Sequence, residues 1–264
     1  MRKMKKVLAL ALCLAFAALA LAGCGGGEAD APAAESDVIK IAYIGPLTGD
    51  NTLYGATQKN AITLAVDQVN AEGGIGGKQV VVEWNDDKSD PNETVSLASK
   101  VADDDSITAI FGPFSTTSAM ACAQTLIDAK IPVCSGSVSH PDWSGMGEGR
   151  FFRGDSTQVQ MMTAYADFLV NEMGVTKVAM YYVQSDWGVA VYDSFIEEFG
   201  KLGGEVVYSD MFPLGTKDFT PSLSKFKEHD SEYEVFFLAG HITEASLIVN
   251  QMRKLGIDKP LITN

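Results

Sequence analysis

The chain has 264 residues, of which 46% are hydrophobic and 20% charged, with a formal net charge of −14. So acidic a surface repels phosphate backbones, which argues against nucleic acid as a partner. The length suffices for one large or two small domains with real cores, and after the N-terminal region no apolar run is long enough to span a bilayer.

The chain opens on Arg2-Lys3 and Lys5-Lys6, followed by the apolar run Val7–Gly23. Those 17 residues fall short of the roughly 20 that a spanning helix needs. A basic start, an apolar stretch and small residues at its end are the marks of an export signal. Leu21-Ala22-Gly23-Cys24 resembles the lipobox of bacterial lipoproteins. That resemblance implies cleavage after residue 23 and lipidation of Cys24, an anchor to the outer side of the cell membrane. Loss of residues 1–23 removes four basic and no acidic residues, taking the charge from −14 to −18 over 241 residues. Residues 25–37, GGGEADAPAAESD, have no apolar period and read as a flexible tether with a span of about 20 Å.

From Val38 the pattern changes. Strands are predicted at Val38–Ile44, Gln79–Trp84, Ile107–Phe111 and Ile131–Cys134, with helices at Gln58–Asn70, Asp90–Ala102 and Thr117–Ala129. Asp90-Pro91 supplies a helix cap and a first helical residue. This β-α alternation predicts a parallel sheet covered by helices, and the near-continuous apolar strands fit burial on both faces. Residues 135–150 interrupt the rhythm and read as a crossing to a second domain. Alternation then resumes: strands at Phe151–Arg153, Lys177–Val183, Glu205–Tyr208, Glu234–Leu238 and Leu261-Ile262, and helices at Thr157–Met173, Val189–Leu202, Phe219–Glu228 and Thr243–Leu255. The expected organisation is α/β: a signal over 1–23, a tether over 24–37, and two Rossmann-like lobes over 38–137 and 138–264.

Several motifs resolve into structural roles. Gly73-Gly74-Ile75-Gly76-Gly77-Lys78 superficially resembles a phosphate loop, but it follows a helix and precedes a strand, which makes it a helix stop and turn. There is no Gly-x-Ser-x-Gly elbow, no His-Glu-x-x-His spacing, and none of His140, His229 and His241 sits beside an obvious nucleophile. No enzyme, metal or cofactor is therefore expected. Cys122 and Cys134 either bridge or remain buried thiols; spacing leaves both open.

The binding signals lie in loops at the C-terminal ends of strands, the edge where open parallel sheets hold ligands. Gly112–Ser118 and Ser135–Ser139 are hydroxyl-rich, and the first opens a helix whose free N–H groups suit a carboxylate. The competing role for such hydroxyls is helix capping. Tyr54 and Trp187 each precede a glycine in a loop after a strand and are expected to face a cleft.

Ile44–Gly49, Tyr54-Gly55, Asn70–Lys78 and Asp86–Pro91 occur in an order that resembles the type I periplasmic binding proteins of the branched-chain amino acid and amide group. The resemblance runs from Val38 to Asn264. It implies two lobes closing on a small amino acid or amide, and delivery by a monomer to an ABC permease in the membrane. It also implies that Ser115 and Thr116 hold the ligand carboxylate, with Ser137, Val138 and Ser139 as the next binding loop. Tyr54 and Trp187 become walls, and His241 takes a position that is often aromatic. The family needs roughly another hundred residues to complete the second lobe, including an acidic partner for the ligand ammonium, so exposed sheet edges are expected. Two other roles would use the same loops: a ligand-sensing receptor for a signalling partner, and an amide-hydrolysing enzyme.

Overall fold

The structure, a computed structural model, describes residues 38–263. The expected signal, Cys24 and the tether lie outside the described residues.

Both sheets are wholly parallel. The first has five strands, β1 (Val38–Gly45), β2 (Gln79–Asp86), β3 (Ile107–Phe111), β4 (Val133–Ser135) and β5 (Phe151–Arg153), in the order β2-β1-β3-β4-β5. Between them run α1 (Thr52–Ala71), α2 (Pro91–Ala102), α3 (Thr116–Ala129) and the single turn α4 (Trp143–Met146). The second has four, β6 (Lys177–Val183), β7 (Glu205–Phe212), β8 (Val235–Ala239) and β9 (Leu261–Thr263), in the order β7-β6-β8-β9. Its helices are α5 (Gln158–Asp167, continued by a π-helical turn over Phe168–Glu172), α6 (Asp186–Lys201), α7 (Thr220–Glu228) and α8 (Ile242–Lys254). The α/β architecture expected from the alternation is present.

Alternation within the strands builds the second lobe. Val178, Met180 and Tyr182 join one buried cluster with Val235 and Phe237, while Ala179, Tyr181 and Val183 join another with Phe236 and Leu238. Successive side chains point to opposite faces, so a strand apolar throughout fills a core on each. The first sheet carries one such core: Ala42 and Ile44 pack with Ile110, Val133, Cys122 and Leu126. On its opposite face Tyr43, Phe111, Cys134 and Phe152 stand in register across four strands. Phe152, at the edge, is 53% exposed.

The chain departs from the sequence expectation at the crossing. Residues 135–150 are not the bridge between lobes, because β5 pairs with β4 through Val133–Phe151, Cys134–Phe152 and Ser135–Arg153. The first sheet therefore extends to Arg153, and the boundary expected at 137/138 moves to the segment 154–157. Trp143 drives this: it is fully buried and stacks on Phe151 at 4.4 Å. The Arg153 guanidinium donates to the carbonyls of His140 and Pro141, tying the segment down.

Candidate functional site

Both helices that carry the cleft aromatics start earlier than the sequence pattern predicts. α1 begins at Thr52, so Tyr54 sits in its first turn rather than in a loop; α6 begins at Asp186, which does the same for Trp187. Glycine makes each start fit. A Cβ on Gly55 would collide with the Pro46 carbonyl, and one on Gly188 with the Val183 carbonyl. Each helix thus approaches the end of its preceding strand closely, and the ring just before the glycine is held at the sheet edge. Ser185 caps α6 by accepting from the Gly188 N–H at 3.1 Å.

The hydroxyl loops divide into scaffold and site. Ser135 is scaffold: its Oγ donates to the Pro113 carbonyl at 2.9 Å and accepts the N–H groups of Ser137 and Val138. Ser137 lines the cleft, but its proton goes to the Phe114 carbonyl at 2.6 Å, and its oxygen accepts from Gln58. Val138 corrects the expectation: it is fully buried among Ala119, Cys122 and Trp143, and its N–H is already used. Ser115 caps α3 by accepting from the Ser118 N–H at 3.0 Å, which leaves its proton free to donate into the cleft. Thr116 and Ser139 are the orphans. Thr116 is 2% exposed and Ser139 1% exposed, and neither hydroxyl finds a partner among the described residues. Ser118 and Gln158 are likewise buried and unpartnered; the Gln158 N–H bonds the Ser139 carbonyl. A buried polar group without a partner costs about 1–3 kcal/mol, and of these four Thr116 and Ser139 line the cleft.

The same cleft carries a chain of rings that runs from one lobe to the other. Phe114 packs on Tyr54 at 4.9 Å, Tyr54 meets His241 edge-on at 6.2 Å, and His241 stacks on Trp187 at 5.2 Å, nearly parallel at 16°. Burial pushes the His241 imidazole below its ordinary range, against a smaller opposing pull from the Glu244 carboxylate. Burial likewise raises the Tyr54 phenol. The histidine is thus a neutral ring at neutral pH.

Together these walls enclose a cleft of about 440 Å³, within the range of small-molecule sites. Tyr54, Ser115, Thr116, Ser137, Ser139, Trp187 and His241 all line it; Val138 does not. Sequence reasoning missed Asn51, Met161, Leu214 and the acidic pair Asp155 and Asp186, which also line it. Among the described residues no lysine or arginine does so. An anion here would depend on hydroxyls and on the first-turn N–H groups of α3, and a cation on the two carboxylates.

Away from the cleft, Gly73–Lys78 forms the predicted turn, with Gly74 donating to the Val69 carbonyl and Ile75 paired to Lys78. Cys122 and Cys134 are both free, and burial pushes the Cys122 thiol up to about 12. No group of metal-ligating side chains occurs among the described residues.

Residues 38–263 match the family described as periplasmic binding protein, and the chain belongs to it. It is 29% identical to a Leu/Ile/Val-binding protein homolog of Brucella melitensis over 85% of this chain and 60% of that protein. A branched-chain amino acid transporter substrate binding protein, LivJ, from Streptococcus pneumoniae, solved with isoleucine, superposes with a TM-score of 0.77 at 30% identity, covering 86% of this chain and 64% of that one. A solute binding protein of an ABC transporter from Rhodopseudomonas palustris, solved with 3,4-dihydroxy benzoic acid, gives a TM-score of 0.76 at 26% identity, covering 86% and 61%. The chain therefore spans about 60% of the length of the relatives it matches.

Proposed function

We propose that this member of the family is an extracytoplasmic, lipid-anchored solute-binding protein of an ABC importer. Its ligand is a small amino acid with an apolar side chain, of the branched-chain kind, or the corresponding amide. The observation that carries this reading is the pair of unpartnered buried hydroxyls, Thr116 and Ser139, facing a wall of rings. The ligand carboxylate takes the donors of Ser115, Thr116, Ser139 and the N-terminus of α3. Its ammonium faces Asp155 and Asp186, and its side chain packs on Tyr54, Trp187 and His241. Binding draws the lobes together by hinge motion, and the closed monomer is what the membrane permease receives. The names of the relatives from Brucella and Streptococcus favour the branched-chain class.

Calorimetric titration with leucine, isoleucine, valine, small amides and 3,4-dihydroxybenzoate tests the reading. Isoleucine binding that Thr116→Val weakens supports it; no heat from any of them overturns it. A preference for 3,4-dihydroxybenzoate would establish a second reading, an aromatic carboxylate, which the four-ring wall favours. Small amides incubated with the protein should be recovered intact. Stimulation of a permease ATPase by the loaded protein separates the importer from a signalling receptor. Labelled fatty acid incorporated by the full chain and lost in Cys24→Ala tests the anchor.

A further inference from the structure

At one rim of the cleft the two lobes are joined by hydrogen bonds, and α3 and α6 also approach one another between the lobes. On the first lobe the contact surface is Asp50 and the start of α1. On the second it is the loop Pro213–Lys217 and the start of α8. The Ile242 N–H donates to the Tyr54 phenolic oxygen at 3.2 Å, and the Thr243 hydroxyl donates to the Asp50 carbonyl at 3.2 Å. Lys217 approaches the Asp50 carboxylate at 3.8 Å, but both are largely exposed, so this pair adds little.

Each half of the contact is stiffened within its own lobe. Thr52 donates to the Gly49 carbonyl at 3.2 Å, and the Asn51 amide to the Ser89 hydroxyl at 3.0 Å. Across the gap, Glu244 accepts from the Gly215 N–H at 3.0 Å. The Gln251 amide donates to the Lys217 carbonyl at 2.8 Å and accepts from the Phe219 N–H at 2.7 Å. One helix, α8, therefore both supports the loop and presents its own N-terminus. That N-terminus needs a partner. The first N–H groups of a helix have no acceptor within it, and His241, at the cap position, makes no side-chain cap bond. The Tyr54 oxygen fills that need from the other lobe.

We infer that Tyr54 and Asp50 form a latch: Tyr54 caps α8 across the cleft and, with the Asp50–Thr243 bond, holds the lobes shut through protein contacts alone. The inference rests on reading the chain as a two-lobed solute-binding protein, and it gives Tyr54 a second task. Its ring walls the cleft while its oxygen positions the second lobe. A hydrogen bond of this kind is worth about a 2- to 10-fold shift in the closed population, and two bonds acting together multiply.

The test needs no ligand. Amide hydrogen exchange and small-angle X-ray scattering are measured on the full chain as wild type, Tyr54→Phe and Thr243→Val. Exchange at Ile242 and Thr243 should rise about 2- to 10-fold in each variant, with the rest of α8 unchanged and a larger radius of gyration. Unchanged exchange at Ile242 and Thr243 in both variants, with superposable scattering curves, would overturn the latch. If Tyr54→Phe raises exchange throughout the chain, Thr243→Val, which lies outside the cleft lining, decides alone. An isoleucine titration of wild type runs in parallel. No isoleucine binding together with localised exchange changes would leave the latch standing and overturn the ligand reading instead.

Discussion

Thr116→Val should raise stability and lower affinity, and the opposite signs make it informative. The threonine is 2% exposed, and its hydroxyl has no partner among the described residues. Valine keeps the branched shape and removes only the polar atom. In the unliganded chain the substitution relieves a desolvation penalty of about 1–3 kcal/mol, offset by any water that reaches the hydroxyl through the cleft. A gain of about 1 kcal/mol corresponds to a rise of roughly 2–4 °C in melting temperature for a body of this size. With ligand present the balance reverses. A hydrogen bond to a carboxylate is worth about 1.5–3 kcal/mol, so affinity should fall roughly 10- to 150-fold. Thermal melts without ligand and calorimetric titration with isoleucine measure the two halves. Affinity within twofold of wild type, or a melting temperature that falls with the affinity, would show that the hydroxyl is not a ligand group.

The remaining predictions concern the scaffold. Ser135→Ala removes one donated and two accepted bonds at a fully buried position and should cost roughly 2–4 kcal/mol in a denaturant titration, although Ser135 does not line the cleft. Gly188→Ala, whose Cβ meets the Val183 carbonyl, should displace the start of α6 and alter Trp187 fluorescence. His241 has a depressed folded-state value, so the unfolded chain binds its proton first; stability should fall as the pH drops through about 6.5. His241→Gln should flatten that part of the melting profile. With its thiol raised to about 12, Cys122 should resist thiol reagents at pH 8 until the chain unfolds, and Cys134, half-buried, should react first.

The strands were legible because a parallel strand buried on both faces is apolar almost throughout, as β8 is and β6 is after Lys177. Helix starts were not. In sequence Gly55 and Gly188 read as loop residues after a strand, whereas both let a helix begin close to that strand. The short strand β5 falls in the first lobe rather than the second, because three residues carry no register signal and what places them is the stacking of Trp143 on Phe151, a contact that periodicity does not reveal. At the site, the hydroxyl loops and the three ring positions were readable as residue types at a strand edge. Which hydroxyl is free was not: Ser115, Ser135, Ser137 and Ser139 look alike in sequence, and only their partners separate cap, scaffold and site.

The satisfied serines fix the loops rigidly to each other, since Ser135 and Ser137 bond carbonyls of the neighbouring loop. On the proposed reading, the orphan hydroxyls are held at fixed positions without partners, so their desolvation is met during folding rather than at binding, and a ligand recovers it as affinity. The ring wall is assembled differently, with Phe114 and Tyr54 from the first lobe and His241 and Trp187 from the second. It is complete only when the lobes are together. On the proposed reading, carboxylate recognition belongs to the preorganised first lobe, while the ring wall and the Asp186 carboxylate of the second lobe come into play on closure. A variant that loosens closure should lower affinity for ligands with large apolar side chains more than for glycine, while Thr116→Val should weaken all of them by a similar factor. Thr243→Val, outside the lining, separates the two: equal losses for glycine and isoleucine in that variant would refute the division.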